Sequence, residues 1–270
     1  MFCVKVLFVK CARSQVDMTS ASGAGNVGSI PAERTIFVFN YGGGIVGFYD
    51  NYNFEGLKFL SKIKTTQDPL VSVPCFEFLN IIHNLKTANP DFNINVAEIG
   101  IGYGATALQI LSLLDEDDRY CAIDFNDKLQ DFVSDLETER FEVKCFIETI
   151  GYSRDSLDSY AYKLSDAIFQ MREKELDGMF NAVYFNGTHT FLHDAPAICF
   201  LKELVTKGGW LVLEDVFKNF VNEDVEGKIP ENLREEPQLV RVQELFLEHD
   251  KNFEKLSYPQ SPRSIFRRIS

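Results

Sequence analysis

The sequence lacks three things that would each have fixed a class of function. It has no CxxC pair among its six cysteines, Cys3, Cys11, Cys75, Cys121, Cys145 and Cys199. Scattered thiols, several of them inside apolar runs, read as buried free cysteines in a reducing compartment. A disulfide framework or a zinc site needs tighter spacing. It has no apolar run long enough to span a bilayer. It also lacks positive charge: 27 Lys and Arg stand against 40 Asp and Glu, a formal net charge of −13. A general binder of nucleic-acid backbone is disfavoured by that balance, whereas a small substrate or a basic partner fits it. The opening "MFCVKVLFVKCARS" has a faint signal-peptide look, but Lys5 and Lys10 interrupt it. A short strand, or an extension ahead of Met18, is the better reading, and the protein is expected to be cytoplasmic.

What is present is ordinary globular composition, 45% hydrophobic and 25% charged over 270 residues. Residues 1–34 read as an extension whose second half, "DMTSASGAGNVGSIPAER", has linker composition. Residues 35–90 read as a small α+β segment on the substrate side. There "TIFVFN", "YGGG" and "IVGFYD" suggest strand, turn, strand, with Gly42 to Gly44 making a hairpin turn rather than a phosphate cradle. Residues 54–64 and 74–86 have helical spacing, with Pro74 suited to a first turn and His83 to a structural role.

Residues 91–270 read as the main domain. Strand and helix signals alternate from Ile94 onward: strands at 94–100, 119–125, 141–150, 180–186 and 209–216, helices between them. Helices are expected over 195–207, stopped by Gly208 and Gly209, and over 238–250. "FEKLSYP" and "SIFRRI" close the chain as two antiparallel strands. Alternation of this kind predicts an α/β fold, a Rossmann-like doubly wound sheet covered on both faces.

The first strand of that domain runs into "AEIGIGYGATALQIL". Glycine there lets a ligand approach the backbone, and the following helix start favours negative groups. Asp124 ends the next strand about 20 residues on, where a carboxylate can accept from ribose hydroxyls. Gly100, Gly102, Gly104 and Asp124 together predict a nucleoside-bearing cofactor. "GIGYGA" also satisfies the dinucleotide pattern, so a nicotinamide-dependent oxidoreductase stays open at this point.

Glu98-Ile99-Gly100-Ile101-Gly102-Tyr103-Gly104 resembles motif I of class I S-adenosylmethionine-dependent methyltransferases. The resemblance covers about residues 94–270. It implies their seven-stranded sheet with a reversed last strand. It also implies cofactor binding by Glu98, Gly100, Ile101, Gly102, Tyr103 and Gly104, with Asp124 on the ribose and Gly151 and Ser153 beside the adenine.

A second group lies at the tips of two later strands: Asn186 and His189 in "NGTH", Glu214 and Asp215 in "ED". Parallel strands would bring these tips to the edge that carries the glycine loop. Their oxygens suit Mg²⁺ or a similar ion, and a histidine at the rim suits proton removal from a poor alcohol nucleophile. The stretch from "VYFNGTH" through "KGGWLVLEDV" resembles metal-dependent small-molecule and sugar O-methyltransferases, such as those acting on macrolide sugars. That resemblance implies metal binding by Asn186, Glu214 and Asp215 and a base at His189. Asn186 departs from it, because the family has Asp there, and one formal charge is lost. A weaker metal site, a metal-free enzyme or a site that no longer catalyses all remain open. His193 is an alternative base, Asp194 can cap the next helix, and His249 reads as inert.

The expected partner is a small hydroxyl-bearing molecule such as a sugar, with no nucleic acid and no membrane. A homo-oligomer is left open. Residues 35–75 and the long acidic stretch 217–237 are the candidates for substrate contact, with Phe217 and Phe220 as candidate pocket aromatics.

Overall fold

A computed structural model describes residues 74–138, 140–154, 158–221, 229–256 and 261–270. The expectations for residues 1–34 and 35–73 lie outside these residues, as does the centre of the acidic stretch, 222–228.

Helix α1 spans Phe76–Ala88, followed by β1 Asn95–Ile99, α2 Ala105–Leu113, β2 Arg119–Phe125, α3 Asn126–Thr138 and β3 Phe146–Tyr152. Then come α4 Tyr160–Glu173, β4 Phe180–Phe185, α5 Phe191–Leu204, β5 Val205–Leu213, the short helix α6 Gln238–Gln243, β6 Phe253–Leu256 and β7 Ser264–Arg268. The seven strands form one sheet in the order β3-β2-β1-β4-β5-β7-β6. β1 to β5 run parallel, and β7 runs antiparallel to both β5 and β6. This is the doubly wound sheet with a reversed last strand that the sequence predicts.

Strand alternation divides the core into two layers. Val96, Tyr120, Ala122, Tyr184 and Val212 face α1, α2 and α3, where Phe78, Ile82, Leu108, Leu111 and Phe132 are buried against them. Ala97, Ile99, Ile123, Val183, Phe185 and Leu211 face the other way, onto Leu164 and Ile168 of α4 and Ile198 and Leu201 of α5. Burying a leucine-sized side chain contributes roughly 1.5–3 kcal/mol, so two such layers dominate the stability of the sheet.

Three boundaries differ from expectation. β3 starts at Phe146, not Phe141. Helix α5 starts at Phe191 and ends at Leu204, with β5 beginning at once at Val205. The Gly208-Gly209 pair therefore lies inside a strand and does not stop the helix. Thr206 Oγ1 donates to the Phe180 carbonyl at 3.2 Å, and the β4–β5 register shifts between Phe180 and Ala182. Gly208 holds φ +81°, a conformation glycine tolerates, so the pair marks an irregularity in the ladder. The last helix is α only over Gln238–Gln243 and widens to a π-type turn over Glu244–Glu248.

The consequence for function is topological. The chain winds outward from β1 through β2 to β3, then returns to place β4 on the other side of β1. Ligands of open α/β sheets bind at the carboxyl edge where the winding reverses.

Candidate functional site

A cavity of about 340 Å³ opens at that reversal. It is lined from the ends of four parallel strands. β1 and its turn supply Ile99, Gly100 and Gly102, and β2 with the start of α3 supplies Asp124, Phe125 and Lys128. Tyr152 and Arg154 come from the end of β3, and Tyr160 from α4. Asn186, Gly187, Thr188 and His189 follow β4, with Lys218 and Phe220 beyond β5.

The glycine turn is held by contacts that explain each glycine separately. Gly100 has φ +81°, and a Cβ there would sit 1.9 Å from the Asn186 carbonyl oxygen. Its bareness lets β1 and β4 close on each other. Gly102 has φ +55° and nothing within 4 Å of a built Cβ. Its bareness leaves space in the cavity wall, as a ligand pressed against backbone requires.

Asp124 faces the turn. Its Oδ2 accepts from the amides of Ile101 at 2.9 Å and Gly102 at 3.3 Å, and its Oδ1 accepts from the Phe125 amide at 2.6 Å. Burial raises its pKa, opposed by these amides. Three hydrogen bonds leave lone-pair capacity on a carboxylate that can accept about four.

The other residues expected around the cofactor divide. Ile101 contributes its amide while its side chain is buried in the core. Tyr103 is 41% exposed, with the Lys128 ammonium 5.0 Å from its ring centre, and does not line the cavity. Gly104, at φ +79°, starts α2 against Phe132. Glu98 also lies off the cavity. Alternation puts it on the face with Val96, where Tyr120 donates to it at 2.6 Å, and burial pushes its pKa up to about 8. Gly151 packs on Asn126, whose Oδ1 would be 1.9 Å from a Cβ. Tyr152 and Arg154, flanking Ser153, reach the cavity instead. The Arg154 guanidinium lies 3.8 Å from the Phe125 ring centre and pairs with Asp127 at 3.3 Å.

The buried carboxylate of the expected metal group is already engaged. Glu214 Oε2 already accepts from Tyr184 Oη at 2.5 Å and from Arg263 Nε at 2.6 Å. Arg263 Nη1 also reaches Glu77 Oε2 on α1 at 3.0 Å. The guanidinium thus supplies the positive charge beside Glu214 that a divalent ion would bring. Asp215 is exposed at φ +46° and, like Glu214, lies off the cavity lining. Asn186 lines the cavity, and the Glu214 amide donates to the carbonyl of Phe185, just before it. Among the described residues no group of three or more His, Cys, Asp or Glu is placed to hold a metal. The donor set does not fit a divalent ion.

His189 does reach the cavity, in a strained form. It holds φ +60°, is 4% exposed, and its Nδ1 is buried without a hydrogen-bond partner. Burial, with the Lys218 charge adding to it, drives the imidazole pKa down to about 3. The ring is neutral at neutral pH and offers an acceptor. It is a poor resting place for a proton, so the role of general base expected for it does not follow.

The sequence missed Tyr160, Thr188 and the position of Asp194. Asp194 is fully buried in the first turn of α5. Its Oδ1 accepts a hydrogen bond from Tyr160 Oη, and also from the Thr188 amide at 3.2 Å and Thr188 Oγ1 at 3.3 Å. Its Oδ2 is buried with no partner. Burial raises its pKa to about 6 against the pull of those donors. "HDAP" at a helix start reads as a cap, and no sequence signal connects it with Tyr160, 34 residues upstream.

No family model matches the chain, and no curated protein matches it. Solved structures do. The O-methyltransferase TomG of Streptomyces achromogenes, involved in tomaymycin synthesis and solved with S-adenosylmethionine, matches with a TM-score of 0.54 at 13% identity, over 81% of this chain and 92% of that one. The S-adenosylhomocysteine-bound methyltransferase PaMTH1 of Podospora anserina matches with a TM-score of 0.52 at 12% identity, over 78% and 86%. A Staphylococcus aureus protein assigned as a caffeoyl-CoA O-methyltransferase matches with a TM-score of 0.52 at 16% identity, over 81% and 93%. At such identities the likeness is one of fold, and strand order, reversed last strand and glycine turn agree with it. The chain has the fold of the class I S-adenosylmethionine-dependent methyltransferases.

Proposed function

We propose that the protein is an S-adenosylmethionine-dependent O-methyltransferase acting on a hydroxyl of a small molecule. The observation that carries the reading is the pairing of a bare glycine turn with the Asp124 carboxylate at the reversal of the sheet. Two of the solved structures with this fold hold S-adenosylmethionine or its demethylated product.

The cavity fits that cofactor residue by residue. Gly102 leaves room at the turn, where the methionine part would lie. The remaining acceptor capacity of Asp124 suits ribose hydroxyls. Phe125 and Tyr152 line the cavity and would give an adenine apolar contact. The cofactor would supply a methyl group on positively charged sulfur, already activated for displacement.

The chain's own residues then position the acceptor. His189, neutral and on the cavity lining, would offer a ring nitrogen to one hydroxyl of a polyol or sugar while a neighbouring hydroxyl reacts. Lys218 and Phe220 close the same end of the cavity. Holding oxygen, methyl and sulfur in line accounts for much of the expected acceleration. No step is assigned to a metal, because Arg263 stands beside Glu214.

The test is direct. Calorimetry should show S-adenosylhomocysteine binding to the purified protein, abolished in Asp124→Ala. Labelled methyl groups should pass from S-adenosylmethionine to members of a panel of sugars, phenols and catechols. Absence of S-adenosylhomocysteine binding by the wild type rejects the cofactor. Binding of NADH in its place would favour an oxidoreductase.

A further inference from the structure

Methyl transfer to a hydroxyl releases a proton, and neither a metal nor His189 is suited to receive it. We propose that Asp194, acting through the Tyr160 phenol, collects that proton and returns it to solvent through Thr188, Thr190 and His193. This rests on the methyl-transfer reading.

The atoms form a continuous hydrogen-bonded path from cavity to surface. Tyr160 and Thr188 line the cavity, and Asp194 lies behind them. Tyr160 Oη donates to Asp194 Oδ1 and lies 3.2 Å from Thr188 Oγ1. Thr188 Oγ1 lies 3.3 Å from the same Asp194 oxygen and 2.7 Å from Thr190 Oγ1. Thr190 Oγ1 lies 2.9 Å from His193 Nδ1, on an exposed side chain. A role limited to capping the loop would not require a phenol on the cavity wall or a hydroxyl chain ending on an exposed imidazole.

The groups facing Asp194 are Tyr160 from α4, Tyr152 from β3, and the amides of Thr188 and His189. Among the described residues it forms no ion pair. Its pKa, pushed up to about 6 by burial, lies close to neutral, where a proton acceptor works best. The raised pKa of Tyr160 keeps the phenol protonated at rest, so it passes a proton on and does not store one.

The step balances. The O–CH₃ bond forms and the S–CH₃ bond breaks, its electron pair staying on sulfur. The acceptor's hydroxyl proton moves to Tyr160 Oη as the phenol's own proton moves to Asp194 Oδ1. Asp194 then passes a proton to Thr188 Oγ1, Thr188 gives its own to Thr190, and Thr190 gives its own to His193 Nδ1. The imidazolium releases a proton to water. Tyr160 would touch the acceptor and is the catalytic residue; Asp194, Thr188, Thr190 and His193 act through it.

Two measurements test this. The first needs no acceptor. In protein labelled at tyrosine Cζ, the Tyr160 resonance, identified by its loss in Tyr160→Phe, should titrate between pH 5 and 7. The inflection should vanish in Asp194→Asn, or, if that variant does not fold, shift in Thr188→Val. A Tyr160 resonance that stays fixed across this range overturns the proposal. The second uses the panel compound that accepts methyl fastest. Tyr160→Phe should lower kcat about a hundredfold or more with S-adenosylhomocysteine affinity unchanged. His193→Ala should lower kcat severalfold at low buffer and recover with added imidazole, which a structural role would not do. Unchanged kcat in Tyr160→Phe, or a His193→Ala defect that imidazole leaves untouched, overturns it. A wild type that binds S-adenosylhomocysteine but methylates nothing defeats the functional reading, while the resonance still decides whether Tyr160 and Asp194 are coupled.

Discussion

The turns after β1 and after β4 lie side by side at one edge of one sheet, yet they treat their polar atoms in opposite ways. The first is largely paired. Asp124 accepts from three amides, and the backbone of Gly100 presses on that of Asn186. The second is left open. His189 Nδ1 and Asp194 Oδ2 are buried without partners, and His189 holds a strained φ of +60°. An unmet buried polar atom costs roughly 1–3 kcal/mol, so a fold keeps one only where something compensates. Paired in this way the first turn is fixed in place, as the proposed cofactor would require. The second turn keeps backbone strain and unmet polar atoms beside the cavity, where the proposed acceptor would bind. The tip of β5 is a third case, because Arg263 neutralises Glu214 and withdraws it from the cavity.

The largest expected effect breaks the contact between the two turns. Gly100→Ala puts a Cβ 1.9 Å from the Asn186 carbonyl oxygen at φ +81°, and should cost more than about 4 kcal/mol in denaturant unfolding. Gly102→Ala meets nothing within 4 Å and should cost about 1–2 kcal/mol for its φ of +55°, while weakening S-adenosylhomocysteine binding. Equal losses of stability in the two variants would erase the distinction drawn between these glycines.

Arg263→Ala should come next, at about 3 kcal/mol, because Glu214 and Glu77 are left buried without their cation. Thermal unfolding reads this. A gain of Mn²⁺-dependent stability in the variant, absent in the wild type, would show that the guanidinium occupies the place of an ion.

A smaller effect separates Glu98 from the cavity. Its folded pKa, about 8, lies above the ordinary 4.5, so the folded state holds a proton that the unfolded state has lost. The resulting stability is full below about pH 4.5 and falls as pH rises through about 8. Glu98→Gln should flatten that fall in melts taken from pH 5 to 8 without changing S-adenosylhomocysteine affinity. A large loss of affinity would return Glu98 to the cofactor site. The smallest effect belongs to Asp215→Asn, within about 0.5 kcal/mol and silent in binding, since Asp215 is exposed and off the cavity. Loss of ligand affinity in that variant would restore the metal reading.

The legible parts of this chain are those in which neighbours in sequence are neighbours in space. "AEIGIGYG" could be read because a strand, its turn and the next helix are contiguous. Asp124 followed because one strand–helix unit has a nearly fixed length. Glu98 could not be placed, because strand alternation decides the face and Tyr120 across the ladder decides the partner. Glu214 misled for a related reason. Its acidic tip resembles a ligand set, and nothing local announces that Arg263, 49 residues on, will fill it. Tyr160 and Asp194 were invisible, since only the packing of α4 against α5 joins them.

The sequence alone determined the layers, the antiparallel closing pair and the bare turn, because period, spacing and glycine act over short stretches of chain. Only the tertiary structure decided which carboxylate faces the cavity, which is locked by a guanidinium and which lies buried behind a phenol. Those outcomes depend on desolvation and on partners brought from distant strands, and neither exists until the sheet has closed.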